Sequence, residues 1–387
     1  MPENTRKPTA WFARAGARTW TCSPAPVEAQ AFHASLPGYE ITPLHELPSL
    51  AAELGVGRIF VKDESARLGL PAFKALGASW AVHRALAERA ASTEASSADS
   101  ADSEDSADSP EQVTLVTATD GNHGRAVART ARLLGRCAHV FVSQGVHPAA
   151  SAAIAAEGAE VTQVAGSYDD AVREAARAAA EGIATVLVQD SAWPGYERIP
   201  RWIVEGYSTL LAEIDAQLAA AGAEAPDLVA VPVGVGSLAQ AVVTHYRSRP
   251  AGEKAPALLS VEPEAAACVI ESLTRGELSS VVTGDTAMAG LNCGTPSSLA
   301  WPYLRDGLDA AIAVTDADSA RAARELAALK VSSGPCGAAS LAGVRAALTG
   351  DGADDRRAAL ALGPASTLVL LSTEGAEANP YHQDLAP

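Results

Sequence analysis

A lysine in an apolar setting is the first residue of this sequence that suggests chemistry. Lys74 lies in the stretch PAFKALGASW, at the start of a predicted helix. Apolar neighbours and the positive end of a helix dipole both disfavour the charged form of a lysine. Because the neutral amine is the form that attacks an aldehyde, this position suits a Schiff-base lysine. The stretch equally fits a lysine on a helix face with its ammonium in water, so taken alone it leaves both interpretations open.

A short loop with two glycines follows a strand-like run further along the chain, where residues 119–124 read TDGNHG. The loop is predicted at the carboxyl end of a strand and before a helix, where open α/β sheets bind anions such as a carboxylate. Asp120 suits a general base, Asn122 a hydrogen-bond donor, and His123 either role. The alternative is a helix-capping aspartate followed by ordinary turn residues.

Polar side chains stand at two other strand ends. Asp190 ends the run VLVQD, close to Trp193, and its carboxylate could bind the distal ammonium of a substrate. It could equally cap a loop. Ser372 and Thr373 close the last buried strand, where a hydroxyl could bond a pyridine nitrogen or be an ordinary strand-end hydroxyl.

A glycine-containing turn between a strand and a helix offers a place for a phosphate. The turn comprises Gly234, Val235, Gly236, Ser237 and Leu238. Its backbone amides and its hydroxyl suit an anion at a helix N-terminus. It matches neither GxGxxG nor a Walker sequence, so neither a dinucleotide nor ATP is indicated.

The elements that must position these residues alternate between strand and helix, which predicts βαβ units and parallel sheets. The expected fold class is α/β, with two domains that each contain a mostly parallel twisted sheet flanked by helices. Strands are predicted at residues 58–64, 113–119, 138–143, 160–165, 185–189, 228–233, 258–262, 311–314 and 367–372. Helices are predicted at residues 73–89, 201–219, 238–247 and 319–329, and after residue 335.

The predicted domains are a smaller α/β domain at residues 79–197 and a larger, cofactor-binding domain from residues 1–78 and 198–387. The N-terminal segment is expected to join the larger domain's sheet. A Ser/Ala/Asp-rich insert at about residues 91–111 holds seven carboxylates and no basic residue. Such a composition predicts disorder.

Composition excludes several classes of function. The net charge of −17 argues against nucleic acid or an anionic membrane surface as a partner. The sequence shows no hydrophobic signal core and no apolar run long enough to cross a membrane. Its five cysteines form no CxxC pair and no metal-ligand spacing, so no metal is expected. A cytoplasmic location is the expectation.

The order of these motifs resembles the fold-type II pyridoxal-phosphate enzymes, the group of tryptophan synthase beta. Within that group the chain resembles the diaminopropionate ammonia-lyases over about residues 43–375. The resemblance rests on VKDESARLGLPAFKALGASWA, TATDGNHGRAVA, VQDSAWPGYERIPRWIVEGY, VEPEAAACV, AMAGLNCGTPS and LLSTEG. Related threonine dehydratases usually have serine where this chain has Asp120, and they lack the QD(S/T)AW segment.

This resemblance implies a reaction and its catalytic residues. The cofactor would be pyridoxal 5'-phosphate, and the reaction an α,β-elimination of ammonia from 2,3-diaminopropionate (D, L or both) that gives pyruvate and ammonia. Lys74 would hold the cofactor covalently and take the α-proton of the L-substrate. Asp120 would take that of the D-isomer, and Asp190 would bind the substrate's amino group.

The resemblance also implies which residues contact the small molecules. Residues expected to contact the cofactor are Phe73, Lys74, Asn122 (at the phenolic oxygen), Gly234, Val235, Gly236, Ser237 and Leu238 (at the phosphate), Ser372 and Thr373. Residues expected to contact the substrate are Asp120, Gly121, His123 and Asp190, with the substrate carboxylate on the amides of residues 121–124. A homodimer is implied. Cys268 and Cys293 match positions that can form a disulfide in the family, although two thiols are expected in a reducing cytosol.

One departure from the family pattern leaves alternatives open. Where the family reads GESGA, residues 334–338 read GPCGA, so a carboxylate near the cofactor is missing. The alternative enzymes are a serine/threonine dehydratase and a β-replacement enzyme on the same fold. The alternative from another class is a non-catalytic, cofactor-binding regulatory protein.

Overall fold

The computed structural model describes residues 10–98, 113–119, 121–182, 184–250 and 252–379, without the side chains of residues 93–98. Its strands are β1 Trp11–Ala13, β2 Leu44–Glu46, β3 Arg58–Asp63, β4 Thr114–Ala118, β5 Cys137–Ser143, β6 Glu160–Val164, β7 Thr185–Leu187, β8 Leu228–Pro232, β9 Ala257–Pro263, β10 Ala310–Val314 and β11 Thr367–Ser372. Its α-helices are α1 Glu28–Ser35, α2 Pro48–Leu54, α3 Lys74–Ala98, α4 Asn122–Leu133, α5 Pro148–Ala155, α6 Tyr168–Glu181, α7 Arg198–Gly206, α8 Ser208–Ala220, α9 Ser237–Arg247, α10 Cys268–Arg275, α11 Trp301–Gly307, α12 Asp316–Ala328, α13 Pro335–Leu348 and α14 Ala353–Leu360. The α/β class predicted from the alternation of elements is confirmed.

The larger sheet has seven strands in the order β1-β10-β9-β8-β11-β3-β2. Its inner pairs are parallel, while the edge strands β1 and β2 run antiparallel to their neighbours. Strands β8 to β11 are buried along their whole length, which explains their continuous apolar composition. The N-terminal segment joins this sheet through β1, as predicted.

Helix α13 packs very closely on the larger sheet. A Cβ atom at Gly343 would lie 2.4 Å from a methyl group of Val261 and 3.2 Å from one of Ile312. The small residues of α13 therefore let the helix backbone approach the strands, and every residue from Pro335 to Val344 is buried.

The smaller sheet is entirely parallel, in the order β6-β5-β4-β7. Helix α4 follows β4 and buries one alanine- and valine-rich face. A Cβ atom at Gly124 would lie 2.3 Å from the methyl group of Thr119, so the first turn of α4 needs glycine to approach the end of β4.

The chain forms two compact units. One comprises residues 1–26, 41–72 and 210–387 and contains the seven-stranded sheet. The other comprises residues 27–40 and 73–209 and contains the four-stranded sheet. Compared with the predicted boundaries, this grouping adds residues 27–40, 73–78 and 198–209 to the smaller unit.

A buried network of charges joins β3 and the segment that follows it to helix α8 within the larger unit. Lys62 Nζ donates to Glu213 Oε2 at 2.7 Å, and the Arg67 guanidinium donates to both oxygens of Glu213 at 2.7 Å. Arg67 also pairs with Glu64 at 2.7 Å. All four side chains are almost completely buried. Because two cations face two carboxylates, the network has no net charge.

Two predicted elements have different bounds in the structure. Helix α3 continues to Ala98 instead of ending at residue 89, because residues 90–98 are alanine-rich and contain neither glycine nor proline. The predicted disordered insert therefore begins as helix, and its residues 99–111 lie outside the described residues. The single helix predicted at 201–219 is two helices, α7 and α8, which separate at Tyr207. No helix in the described part of the chain is both long and apolar enough to cross a membrane.

Candidate active site

The structure brings two of the predicted site residues into direct contact. Lys74 is the first residue of α3, and its Nζ donates to Asp190 Oδ2 at 2.7 Å. Asp190 lies just beyond β7, at the carboxyl end of the smaller sheet. The Lys74 side chain is 23% exposed and that of Asp190 11%. The contact joins residues 116 positions apart in the chain, and the sequence predicted each residue but not their pairing.

Asp190 owes its position to the residue before it. The buried Gln189 side chain accepts a hydrogen bond from the Ala118 amide at 3.0 Å, which fastens the segment after β7 to the end of β4. The backbone N–H of Gln189 donates to the hydroxyl of Tyr196 at 2.8 Å. The carboxylate of Asp190 therefore comes directly after a residue whose side chain and backbone are both held by hydrogen bonds.

The electrostatic setting keeps Asp190 ionised. Burial alone would raise the pKa of its carboxyl, but His123, which is protonated at the low pH where Asp190 titrates, the charge of Lys74 and the hydrogen bond from Lys74 hold the pKa well below its ordinary value. An ionised carboxylate suits the binding of a cation and cannot donate a proton. In this state Asp190 can accept hydrogen bonds from an ammonium, as it does from Lys74, but cannot act as a general acid.

Beside Lys74 lies an aromatic pair made of Phe73, a predicted cofactor contact, and Tyr207, which was not among the predicted site residues. The rings of Phe73 and Tyr207 are 4.8 Å apart. Tyr207 is buried, and its burial raises the pKa of its hydroxyl to about 12. A Cβ atom at Gly77 would lie 2.6 Å from the Tyr207 ring, so glycine is needed there. Tyr207 ends the WIVEGY part of a motif that supports the family resemblance, and this was the signal that could have identified it.

His123 is buried in the first turn of α4 and faces the same carboxylate. Its Nε2 lies 2.7 Å from the Val188 carbonyl oxygen, and its Nδ1 lies 3.8 Å from Asp190 Oδ2. Burial lowers the pKa of His123, and the charge of Lys74 lowers it further against the opposing effect of Asp190. The imidazole is therefore neutral at neutral pH.

The loop before α4 is only partly described. Asp120 lies outside the described residues, so its predicted role as a base stays a prediction. Asn122 is the first residue of α4. The amides of Gly121 and Gly124 donate to the Thr119 hydroxyl at 3.0 and 3.1 Å, so Thr119 organises the loop. Thr119 was not among the predicted site residues, although it opens the TDGNHG motif.

The predicted phosphate turn lies in the larger unit, between β8 and the eleven-residue helix α9. Gly236 has a φ of 99°, in the left-handed region that favours glycine. A Cβ atom at Gly234 would lie 3.0 Å from Cys293 Sγ, and one at Gly236 2.7 Å from Leu304. The positive φ therefore requires glycine at position 236, and the space at Gly234 is tight. Ser237 and Leu238 are the first two residues of the helix, and Val235 lies between the two glycines. The backbone at this helix N-terminus fits a phosphate.

Ser372 ends β11 as predicted. Its hydroxyl donates to the hydroxyl of Ser333 at 2.8 Å, and both residues are buried, as is Thr373. Glu374 Oε1 accepts from the Cys336 amide at 3.2 Å, at the start of α13 where the sequence departs from GESGA. The carboxylate of Glu374, which follows β11, thus accepts from the first turn of α13, the helix whose own GPCGA segment lacks the family's carboxylate.

The cysteines at the family's disulfide positions are not joined by a disulfide in this structure. Both Cys268 and Cys293 are described, and neither is bridged. Burial raises the pKa of the Cys268 thiol, so it stays protonated at neutral pH. The described residues contain no group of His, Cys, Asp and Glu side chains that could hold a metal ion.

Each unit, described by itself, carries groups of the kinds that the cofactor implied by the motifs needs. The smaller unit supplies a lysine amine on a helix end, paired with a carboxylate. The larger unit supplies a turn at a helix N-terminus in which Gly236 has a positive φ, and a buried serine hydroxyl of the type that can bond a ring nitrogen. Each is the type of group that pyridoxal-phosphate enzymes use to hold the aldehyde, the phosphate or the pyridine.

Comparison with known proteins agrees with this fit. Residues 36–363 match the protein family described as "Pyridoxal-phosphate dependent enzyme". This chain belongs to that family, and pyridoxal phosphate is its cofactor. Within the family its sequence groups with the diaminopropionate ammonia-lyases. It is 38% identical to the Salmonella typhimurium diaminopropionate ammonia-lyase over 92% of this chain and 91% of that protein. It is 35% identical to the Escherichia coli enzyme over 90% and 87%.

Solved structures give the same result. The Escherichia coli diaminopropionate ammonia-lyase in complex with an aminoacrylate-PLP azomethine reaction intermediate has a TM-score of 0.82, with 31% identity over 97% of this chain and 96% of that chain. The same enzyme in complex with D-serine has a TM-score of 0.83, covering 98% and 97%. Maize serine racemase, at 25% identity over 90% and 91%, has a TM-score of 0.70. The predictions of a fold-type II architecture and of family membership are confirmed.

Proposed function

We propose that this chain is a carbon–nitrogen lyase that eliminates ammonia from 2,3-diaminopropionate and yields pyruvate and ammonia. The contact between Lys74 and Asp190 carries the proposal, because it places a lysine amine next to a carboxylate that is held ionised. A substrate with two amino groups needs both features. Pyridoxal phosphate, when bound, supplies the electron sink that makes the α C–H bond acidic.

Three side chains share two tasks, the removal of the substrate's α-proton and the binding of its amino group. Lys74 attaches to the cofactor and takes the α-proton of the L-isomer at Nζ, and Asp120 takes that of the D-isomer. Asp190 binds the amino group at the β-carbon. Because the pKa of Asp190 lies below its ordinary value, it holds that group as an ammonium. The Phe73 and Tyr207 rings limit the access of water to Lys74.

The remaining predicted contacts complete the proposal. Asn122 bonds the cofactor's phenolic oxygen, residues 234–238 its phosphate, and Ser372, with Thr373 beside it, the pyridine nitrogen. The amides of residues 122–123 bind the substrate carboxylate, since Thr119 engages those of Gly121 and Gly124. A homodimer in the cytoplasm, with a small amino acid as its substrate, is part of the same proposal.

The test is a substrate panel with purified holoenzyme. D- and L-2,3-diaminopropionate, D- and L-serine and L-threonine are incubated separately, and release of 2-oxo acid is followed. We expect turnover of at least one diaminopropionate isomer to exceed that of every hydroxy amino acid. Turnover of serine or threonine alone would instead identify a dehydratase, and cofactor binding without any product would identify a regulatory protein.

The two-base assignment has its own test. Asp120→Asn should abolish turnover of the D-isomer and spare much of the L-reaction, because Lys74 still serves the L-face. Lys74→Ala should leave no cofactor attached after borohydride reduction, as judged from the intact mass. Equal loss of both isomers in Asp120→Asn would contradict the assignment.

A further inference from the structure

Two hydrogen-bond acceptors, Nδ1 of His123 and Oδ2 of Asp190, lie close together. Nδ1 of His123 lies 3.8 Å from Asp190 Oδ2, too far for a hydrogen bond between them. Nδ1 is buried and has no hydrogen-bond partner among the described residues. A buried polar atom without a partner costs free energy, so its role needs an explanation.

The other ring nitrogen determines what Nδ1 can do. Nε2 faces the carbonyl oxygen of Val188 at 2.7 Å, and a carbonyl oxygen only accepts hydrogen bonds. Nε2 therefore carries the proton. A neutral imidazole has one N–H, and the lowered pKa of His123 keeps the ring neutral. Nδ1 consequently carries a lone pair and can only accept a hydrogen bond.

The chain itself shows which kind of group suits this place. The Lys74 ammonium donates to the same oxygen of Asp190 that lies nearest Nδ1. A carboxylate oxygen and a lone pair 3.8 Å apart repel each other unless a donor lies between them. An ammonium has three N–H groups and can donate to both acceptors.

We infer that Asp190 and His123 Nδ1 together form the subsite for the leaving amino group, and that His123 makes this subsite selective for an ammonium over a hydroxyl. The inference rests on the proposed function. A hydroxyl has a single proton, so it can satisfy Asp190 or His123 but leaves the other acceptor unpaired. Asp190 alone would accept from either leaving group.

The same arrangement provides for the departure of ammonia. Two acceptors keep the β-nitrogen as –NH3+. When the Cβ–N bond breaks, its electron pair stays on nitrogen, and the group departs as neutral NH3 with the three protons it already has. The proton removed from the α-carbon stays on the base that took it. No acid is needed at the leaving group.

Two amide variants separate the two ring nitrogens. His123→Gln places an amide nitrogen near the position of Nε2, which preserves donation to Val188 and removes the Nδ1 acceptor. His123→Asn places an amide oxygen near the position of Nδ1 and loses the bond to Val188. In His123→Gln we expect kcat/KM for diaminopropionate to fall roughly ten- to one-hundred-fold, the effect of one hydrogen bond to a charged group.

The comparison ligand is D-serine, measured as a competitive inhibitor. Its inhibition constant should change less than about threefold in His123→Gln, because a hydroxyl can still bond Asp190. His123→Asn should retain more of the diaminopropionate activity than His123→Gln. Equal losses for both ligands would mean that His123 only supports the fold, and unchanged diaminopropionate kinetics would also overturn the inference.

A second measurement does not depend on activity. The tautomer of His123 can be read from two-bond nitrogen–proton correlations in protein labelled with 15N-histidine, with the signal assigned by its absence from His123→Gln. We expect the Nε2–H form, and an Nδ1–H form would refute the inference. If wild-type holoenzyme converted no diaminopropionate while the Nε2–H form was present, the proposed function would fail and the tautomer would stand.

Discussion

The ion pair between Lys74 and Asp190 should slow the attachment of the cofactor. Only a neutral amine attacks the aldehyde, and a carboxylate 2.7 Å from Nζ stabilises the ammonium. Asp190→Asn preserves the shape of the side chain and an acceptor oxygen but removes the charge. A hydrogen bond to a charged group contributes about 1.5–3 kcal/mol and a neutral one about 0.5–1.5 kcal/mol, a difference of roughly 1–1.5 kcal/mol. We therefore expect attachment to become about five- to tenfold faster.

The assay mixes cofactor-free protein with pyridoxal phosphate and follows the absorbance of the lysine-bound form. Borohydride reduction and peptide mapping then verify that the label is on Lys74. Glu205→Gln is the matched control, because Glu205 is a partly buried carboxylate of the same unit that bonds Trp80 and pairs with Arg84. An attachment rate in Asp190→Asn equal to or below that of wild type, with an unchanged circular dichroism spectrum, would refute the reasoning.

Three further predictions concern stability. Gly77→Ala should destabilise the fold by about 1–3 kcal/mol in urea denaturation, since its Cβ would overlap Tyr207; Gly145→Ala, with open space around it, is the control and should change little. Glu213→Gln should cost about 3–5 kcal/mol by the same measurement, because it leaves buried cations without a counter-ion; a loss below 1 kcal/mol would argue against the network. Burial alone would raise the pKa of Glu213, but Arg67 holds it below the ordinary 4.5, so this stabilisation is present above pH 4.5 and is lost as the pH falls through the lower folded-state pKa. The urea midpoint should accordingly fall more steeply on acidification in wild type than in Glu213→Gln, and parallel curves would contradict this assignment.

The strands were predictable because each buried parallel strand is a continuous apolar run. The bounds of β8 and β11 agree with the predicted runs within one residue. The break between α7 and α8 was not predictable, because the apolar pattern continues across it. It depends on close packing in the fold: a Cβ atom at Gly206 would lie 2.6 Å from the Leu76 carbonyl oxygen.

The site was predictable as a set of separate strand and helix ends, but not as contacts. Lys74, Asp190 and His123 each lie in a motif that predicts the start of a helix or the end of a strand. The distance between His123 and Asp190 depends on how β4 and β7 pair, and the distance from Lys74 to Asp190 depends on where α3 begins, neither of which a local pattern contains. The burial of Lys62 and Arg67 was equally hidden, because isolated charges in a sequence are typical of a surface and their partner Glu213 is about 150 positions away.

Helix α3 begins with Lys74 and ends at Ala98, within the acidic insert. Its 25 residues correspond to a rod about 37 Å long. Chain added at Ala98 therefore enters at the opposite end of that rod from the reactive amine. This separation makes residues 99–112 a favourable place to graft an affinity tag or a fluorescent reporter, because the graft would enter the fold far from Lys74.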